Sequence, residues 1–272
     1  MAGDEDTGGY GIDLDVHLPH PARMYDYFLG GVTNFPADRE AAGRALAVFP
    51  WARIAARANR AFMQRATRHL ARRGIDQFLD IGTGIPTSPN LHEVAQAVRP
   101  AARIVYADND PIVLTHAEAL LRSSPQGRTA YLPGDVRDPE QVLAGARELL
   151  DFSRPIALSM IALLHFVPDG PDRAAADLIA AFRSQLAPGS HLTISHSTPE
   201  FAPEETARVV QVYRSAGAEA QSRTREQIAA LFAGWELLEP GLVASPRWHP
   251  DPGDEPATDA EASCLAGVAV LR

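Results

Sequence analysis

Residues 78–90 read FLDIGTGIPTSPN, and this stretch decides the fold. Phe78, Leu79 and Ile81 form a short apolar run of the kind a fully buried strand carries. It stops at Gly82-Thr83-Gly84, where two residues without side chains permit positive φ and close approach of a ligand to the backbone. A helical pattern resumes at about residue 89. A strand, a glycine loop and a helix in that order make the first unit of an open parallel sheet, whose ligands sit at the carboxyl ends of the strands.

The rest of the chain repeats the unit. QFLDI (77–81), RIVYAD (103–108), TAYLPGD (129–135), PIALSMI (155–161) and HLTISH (191–196) read as strands. Helical patterns lie between them at 89–98, 111–122, 138–150 and 171–187. Strand–helix alternation at this spacing predicts helices on both faces of a parallel sheet. Two more helices follow, near 203–216 and 225–233, with Thr224 and Gln227 as a capping box. WELLEP (235–240) and CLAGVAVLR (264–272) close the chain as strands, joined by a Pro- and Asp-rich loop over 245–260. The expected fold class is α/β, a Rossmann-like doubly wound seven-stranded sheet, mostly parallel with the last strand antiparallel.

Upstream lies a helical extension. Residues 1–18 are expected to be flexible, and 19–74 to form a helical cap in front of the domain at 75–272. Within the cap, a short helix, a Gly-Gly turn and a second helix from near Ala37 precede the clearest helix of the chain, 51–73. There Ile54, Ala58, Phe62, Ala66 and Leu70 recur every fourth residue as an apolar stripe.

Composition narrows the classes. The 272 residues carry 46% hydrophobic residues and one cysteine, Cys264, so an internal disulfide is excluded. The acidic opening MAGDEDTGG lacks the apolar stretch of a signal peptide, and no apolar run reaches the length of a membrane span. A cytoplasmic enzyme is expected, with no membrane partner. The net charge of −9 argues against nucleic acid as a partner. Helix 51–73 carries Arg53, Arg57, Arg60, Arg65, Arg68, Arg72 and Arg73 with no acid between them. Without aromatic interleaving it reads as a solvated face that pairs with acidic neighbours. All 25 basic residues are arginine, which excludes lysine Schiff bases and the Tyr-x-x-x-Lys pair of many dehydrogenases. The histidines show no metal-ligand spacing and no metal is expected; no G-x-S-x-G is present.

The site follows from the strand ends. A dinucleotide fingerprint wants G-x-G-x-x-G, and here the third glycine position is Thr87. Asp80-Ile81-Gly82-Thr83-Gly84 also fits the looser loop that holds S-adenosylmethionine. Asp108, at the end of the second strand, is placed to accept from both ribose hydroxyls, which either cofactor would require. Asp135-Val136, after the third strand, suits an adenine amino group and ring edge, which nicotinamide enzymes do not require. His165 follows the fourth strand in an apolar run, where a packed core histidine is the commoner outcome.

In these elements (LDIGTG, DNDP, GDV and LAPG, in this order) residues 78–196 resemble the class I, Rossmann-like methyltransferases that use S-adenosylmethionine. ARMYDYFLGGVTNFPADREAA, RANRAFMQRATRHL and the stretch from YRSAGAEAQ to SPRWHP are similar to a bacterial S-adenosyl methyltransferase family long carried as a domain of unknown function. The resemblance spans about 19–272. It implies a methyl transfer from S-adenosylmethionine, with S-adenosylhomocysteine as product, to an unidentified acceptor, expected to be a small molecule. It implies that Gly82, Thr83 and Gly84 line the methionine and ribose portion, with Asp80 at the base of the loop. Asp108 binds the ribose hydroxyls, Asn109 lies beside the adenine, Asp135 and Val136 meet its edge, and Ser159 or Met160 lies under the sulfonium. Arg23 is a candidate partner for the cofactor carboxylate, and Tyr25 or Tyr27 for closing over the methyl group, since an aromatic face suits a sulfonium cation. His165, Asp26 and Tyr27 are the candidate bases, His165 and Tyr27 being carried as the catalytic pair. Loops 197–204 and 243–260, with Trp248 and His249, are expected to cover the substrate. Two other classes remain open at this point: a non-catalytic S-adenosylmethionine sensor, and a nicotinamide oxidoreductase.

Overall fold

The computed structural model describes residues 15–113, 115, 122–170 and 174–272. The expectations for the first fourteen residues, for most of the helix at 111–122, and for the start of the helix at 171–187 lie outside the described residues.

The centre of the molecule is one sheet. Its strands are β1 (Gln77–Ile81), β2 (Arg103–Asp108), β3 (Arg128–Pro133), β4 (Ala157–Ile161), β5 (His191–Ser197), β6 (Glu236–Leu237), β7 (Val243–Ala244) and β8 (Cys264–Val270). The spatial order is β3-β2-β1-β4-β5-β8-β6, and β7 also pairs with β8. β1 to β5 are mutually parallel, while β8 runs antiparallel to β5. The chain steps outward from β1 to β3 and then returns to β4 beside β1. That reversal opens a crevice at the carboxyl ends of β1 and β4.

Of the expected strand at 235–240 only β6 forms, and β7, which was not expected, follows it on the outer edge of β8. β6 sits opposite Val270 and Ala269, and β7 opposite Ala266 and Leu265. Between them Pro240 lacks the amide a ladder needs, and Gly241, at φ +84°, turns the chain. The sheet therefore has eight strands in seven positions.

Two helical layers cover it, and strand alternation assigns the residues. On one face Leu79, Ile81, Val105, Leu158, Met160 and Ile194 pack under α5 (Pro139–Ala146), α6 (Ala175–Arg183) and α8 (Arg225–Ala230). On the other, Phe78, Ile104, Tyr106, Ala157 and Val268 pack under α3 (Ala52–Arg72) and α4 (Leu91–Val98). The buried face of α3 includes Ala58, Phe62, Ala66 and Leu70 of the expected stripe, while Ile54 is only half-buried.

The N-terminal segment adds α1 (Pro21–Leu29) and α2 (Pro36–Val48). α1 starts at Pro21 behind a His20 cap and ends where Gly30 turns left-handed at φ +83°. Asp26 then holds the turn: its Oδ2 accepts from Asn34 Nδ2 at 2.8 Å, and only a glycine at position 31 leaves room for its carboxylate. Asp38 accepts from the backbone amides of His20 and Phe35, both at 2.8 Å, and so fixes the entry of both helices. α7 (Pro203–Ser215) packs Val209, Val212 and Tyr213 onto the cluster made by α1, α2 and the start of α3.

The arginine face of α3 meets the acidic loop before α9 (Asp259–Ala262). Arg57 pairs with Glu255, Arg65 with Asp254 and Arg68 with Asp251. Trp248 in that loop is fully buried against Phe62 and His69, with ring centroids 5.5 and 5.4 Å away. Among the described residues no helix is long and apolar enough to cross a membrane, and no group of three His, Cys, Asp or Glu is disposed to hold a metal ion.

Candidate active site

Above the β1–β4 crevice lies a cavity of about 590 Å³. It joins the glycine loop and the ends of β2 and β3 to an apolar chamber under α1, α3 and α7. Most of the expected site residues line it: Arg23, Asp80, Gly82, Thr83, Gly84, Asp108, Asn109, Asp135, Val136 and His165.

The glycine loop is built by its neighbours. Gly82 and Gly84 take φ of +71° and +66°, where a side chain is strained. Gly82 is also crowded, since a Cβ there would stand 2.6 Å from Leu163 Cδ1. At Gly84 the nearest atom would be Ala22 Cβ at 4.0 Å, which leaves open space beside the backbone. Asp108 holds the loop in place: Oδ2 accepts from the Gly84 amide at 2.8 Å and Oδ1 from the Asp110 amide at 2.9 Å. The Thr87 amide donates to Asn90 Oδ1 at 2.9 Å, so the residue in the third glycine position belongs to the cap of α4. Arg60 donates to the carbonyls of Thr87 and Pro89. It is therefore a loop clamp inside the cavity wall, not part of a solvated face. Its spacing within an arginine-rich helix gave no sign of this.

Asp80 is the least ordinary carboxylate of the site. It lies beneath the loop, and Ser159, its register partner on β4, hydrogen-bonds to it. Burial pushes it up to about 7, opposed by the Ser159 bond and Arg60 and reinforced by the nearby Asp108. Asp108 is also raised, chiefly by burial, against its two amide bonds. Asp135 is half-buried; it accepts from Asn109 Nδ2 at 3.1 Å and from the Arg137 amide at 2.8 Å. Arg137 in turn reaches the Phe166 carbonyl and Glu219, tying the β3 end to the loop after α7.

Arg23 is 3% exposed, and its Nη2 donates to the Leu18 carbonyl at 3.0 Å. Asp38 and Asp110 each stand 3.6 Å from its Nε. Nε and Nη1 nevertheless have no hydrogen-bond partner. A buried guanidinium with unused donors at a cavity wall is suited to a ligand carboxylate.

Met160, Ser159, Tyr27 and Asp26, all expected at the site, do not line the cavity. Met160 points to the opposite face of β4 from Ser159 and joins the core under α5 and α6. Ser159 reaches the site only through Asp80. Tyr27 lies on the outer side of α1, where the Arg53 guanidinium stacks 4.8 Å from its ring centroid. Two positions earlier on the helix, Tyr25 does face the cavity, with its hydroxyl accepting from Asn59 at 2.9 Å and donating to the Ala56 carbonyl at 3.0 Å. Asp26 is occupied by the Gly-Gly turn, as described above, and is not at the cavity. Nor do the expected loops form the cover. Of 197–204 only Ser197 lines the cavity, and of 243–260 nothing does, because Trp248 is locked into the core. The cover consists of α1, the start of α3 and α7.

His165 sits on a short 3-10 turn, Leu164–Phe166, directly after β4. Its ring lies 4.5 Å from that of Phe166 and 5.5 Å from that of His196. Burial, then His196 and Arg223, hold it well below the ordinary histidine value. The turn is braced by Arg223, 1% exposed, which donates to the carbonyls of Leu164 and Val167 at 2.8 Å each and to His196 Nε2 at 2.7 Å. A guanidinium only donates, so His196 Nε2 accepts and its Nδ1 carries the proton toward the Ser197 carbonyl. His196 is thereby a neutral structural acceptor, pushed to about 4 chiefly by burial. Neither residue's part in this brace was legible from spacing.

The family model for S-adenosyl methyltransferase matches residues 9–272. The chain belongs to the S-adenosyl methyltransferase family. A crystal structure of a DUF574 family protein from Streptomyces avermitilis MA-4680 is 44% identical and superposes with a TM-score of 0.92, covering 96% of this chain and all of that one. A candidate methyltransferase from Thermobifida fusca YX is 39% identical with a TM-score of 0.86, covering 95% of this chain and 97% of its own. No curated protein matches this chain significantly. As an S-adenosyl methyltransferase the chain is an enzyme, and S-adenosylmethionine is its methyl donor. The cavity fits that group on its own terms: an acidic acceptor at the β2 end, unused guanidinium donors at Arg23, and open space beside Gly84.

Proposed function

We propose that this methyltransferase alkylates a small molecule, with the cofactor in the loop-lined half of the cavity and the acceptor in the apolar half. The observation that carries the proposal is the continuity of the two halves in one cavity, with Gly82, Asp108 and Asp135 lining one and Phe28, Met63 and Tyr213 the other. In this assignment Gly82, Thr83 and Gly84 lie along the methionine and ribose portion. Asp108 accepts from the ribose hydroxyls with its remaining lone pairs. Asn109, Asp135 and Val136 border the adenine, and Arg23 receives the carboxylate. Asp80 lies under the loop, where a bound cation would draw its proton off.

When bound, the cofactor supplies a methyl carbon already activated by positive sulfur. The protein's tasks are alignment and exclusion of water. The chamber walls from α1, α3 and α7 do both. His165, held neutral, is a weak base; its natural service is to hydrogen-bond and orient the acceptor, taking a proton only from an acidic one. This supports acceptors that are nucleophilic at neutral pH without strong activation.

The test is calorimetric titration with S-adenosylhomocysteine, with NAD in parallel. One-site binding of S-adenosylhomocysteine with NAD silent is expected. Two charge-assisted bonds to ribose at ~1.5 kcal/mol or more each predict about a hundredfold weakening in Asp108→Ala. Unchanged affinity in that variant refutes the ribose assignment.

A further inference from the structure

The two halves of the cavity differ sharply in charge. Of the charged side chains that line it, Arg60, Arg23, Arg137, Asp80 and Asp108 belong to the cofactor half. Arg60 is spent on the loop carbonyls, Arg23 lies between Asp38 and Asp110, and Arg137 pairs with Asp135 and Glu219. Asp80 and Asp108 lie under and beside the glycine loop. The other half is walled by Tyr25, Phe28, Phe49, Met63, Val209 and Tyr213. Its polar groups stay uncharged. Burial pushes Tyr25 up to about 12, raises Tyr213, and takes the Cys264 thiol to about 12. The Tyr25 hydroxyl is already committed in both directions, to Asn59 and to Ala56.

Resting on the functional assignment above, we infer that the methyl acceptor is an uncharged, planar aromatic molecule held between the α1–α3 wall and α7. Three arguments converge. A carboxylate, phosphate or ammonium in this chamber would lose its hydration with no opposite charge to meet, at a cost of several kcal/mol. Five of the six wall side chains named are rings or, in Met63, a thioether that packs well on ring edges; flat faces recover most contact from a flat ligand. Size sets the last limit: the whole cavity, about 590 Å³, must hold cofactor and acceptor together. Pockets of roughly 300–1,000 Å³ enclose a single drug-sized ligand, so the acceptor's share suits one or two fused rings and excludes a peptide or nucleic-acid strand.

The inference is tested with 2-naphthol, 2-naphthoate and the saturated alcohol decahydro-2-naphthol, each titrated into free protein and into protein saturated with S-adenosylhomocysteine. One-site binding of 2-naphthol is expected, with naphthoate at least ~10-fold weaker because its charge finds no partner. The saturated alcohol is expected to fall between them. Val209→Trp on α7 and Ala55→Trp on α3 place an indole in the chamber from half-buried positions. Each should abolish naphthol binding and leave S-adenosylhomocysteine affinity unchanged, which also shows that the variant is folded. Naphthoate binding as tightly as naphthol, naphthol binding that both tryptophan variants retain, or no naphthol binding beside normal S-adenosylhomocysteine binding would each overturn the inference. A silent S-adenosylhomocysteine titration would instead strike the cofactor assignment, and naphthol binding to the free protein would still report on the chamber.

Discussion

Asp80→Asn should make the protein more stable at alkaline pH and nearly unchanged in acid. The carboxyl sits beneath the glycine loop, 8% exposed, and bonded to Ser159. In the unfolded chain an aspartate releases its proton near pH 3.9; in the fold this one holds it up to about pH 7. Between those values the native state binds more protons than the unfolded state, so its contribution to stability is complete below about pH 4 and is lost as pH rises through about 7. Three pH units at ~1.4 kcal/mol each give an upper bound of about 4 kcal/mol by pH 8. Asparagine resembles the protonated acid in shape and does not titrate. Urea unfolding of both proteins from pH 4 to 8.5 isolates the effect, because the other carboxyls are common to both and largely cancel. The stability difference between variant and wild type should grow in favour of the variant as pH rises through 7. A difference that stays flat, or that grows toward acid, would falsify the claim that burial governs this carboxyl. Saturating cofactor should reduce the difference, since a bound cation favours the ionised form.

Other outcomes follow from the same contacts. Gly82→Ala should cost about 3 kcal/mol, combining left-handed strain of ~1–2 with crowding against Leu163, whereas Gly84→Ala should show only the strain; equal losses in denaturant titrations would mean the Leu163 contact is unimportant. Arg65→Met leaves two buried carbonyls and Asp254 without their donor and should cost ~3 kcal/mol, against ~0–1 for Arg57→Met at the exposed Glu255 pair. Thermal midpoints that fall alike in both would contradict the burial argument. The His165 ring signals should not titrate between pH 5.5 and 8 in NMR spectra, because burial and Arg223 hold the ring neutral; an inflection near 6.5 would show that the ring is solvated. Arg223→Met should free His196 and loosen the turn that carries His165, appearing as faster amide exchange at residues 164–167, while exchange in β1 stays as before.

How much was legible in advance depended on distance along the chain. β1, β2 and the helix at 91–98 are local patterns, a buried apolar run or an amphipathic period, and they fold where the sequence places them. The split edge at β6 and β7 was legible only in part. Pro240 and Gly241 are visible, but which side of β8 each fragment joins depends on its neighbours.

The sequence by itself determined the parallel sheet, the glycine loop, and the acidic residues at the ends of β2 and β3. These depend on backbone freedom at glycine and on the alternation of strand and helix, both of which are local. Only the tertiary structure decided which side chains complete the cavity. It turned Tyr25 inward and Tyr27 out beneath Arg53, sent Met160 into the core, and made Arg60 a clamp on a loop 27 residues away. It also locked Trp248 away from the site and gave the cover to α7. Those outcomes turn on helix rotation and on partners remote in sequence, and a linear pattern carries neither.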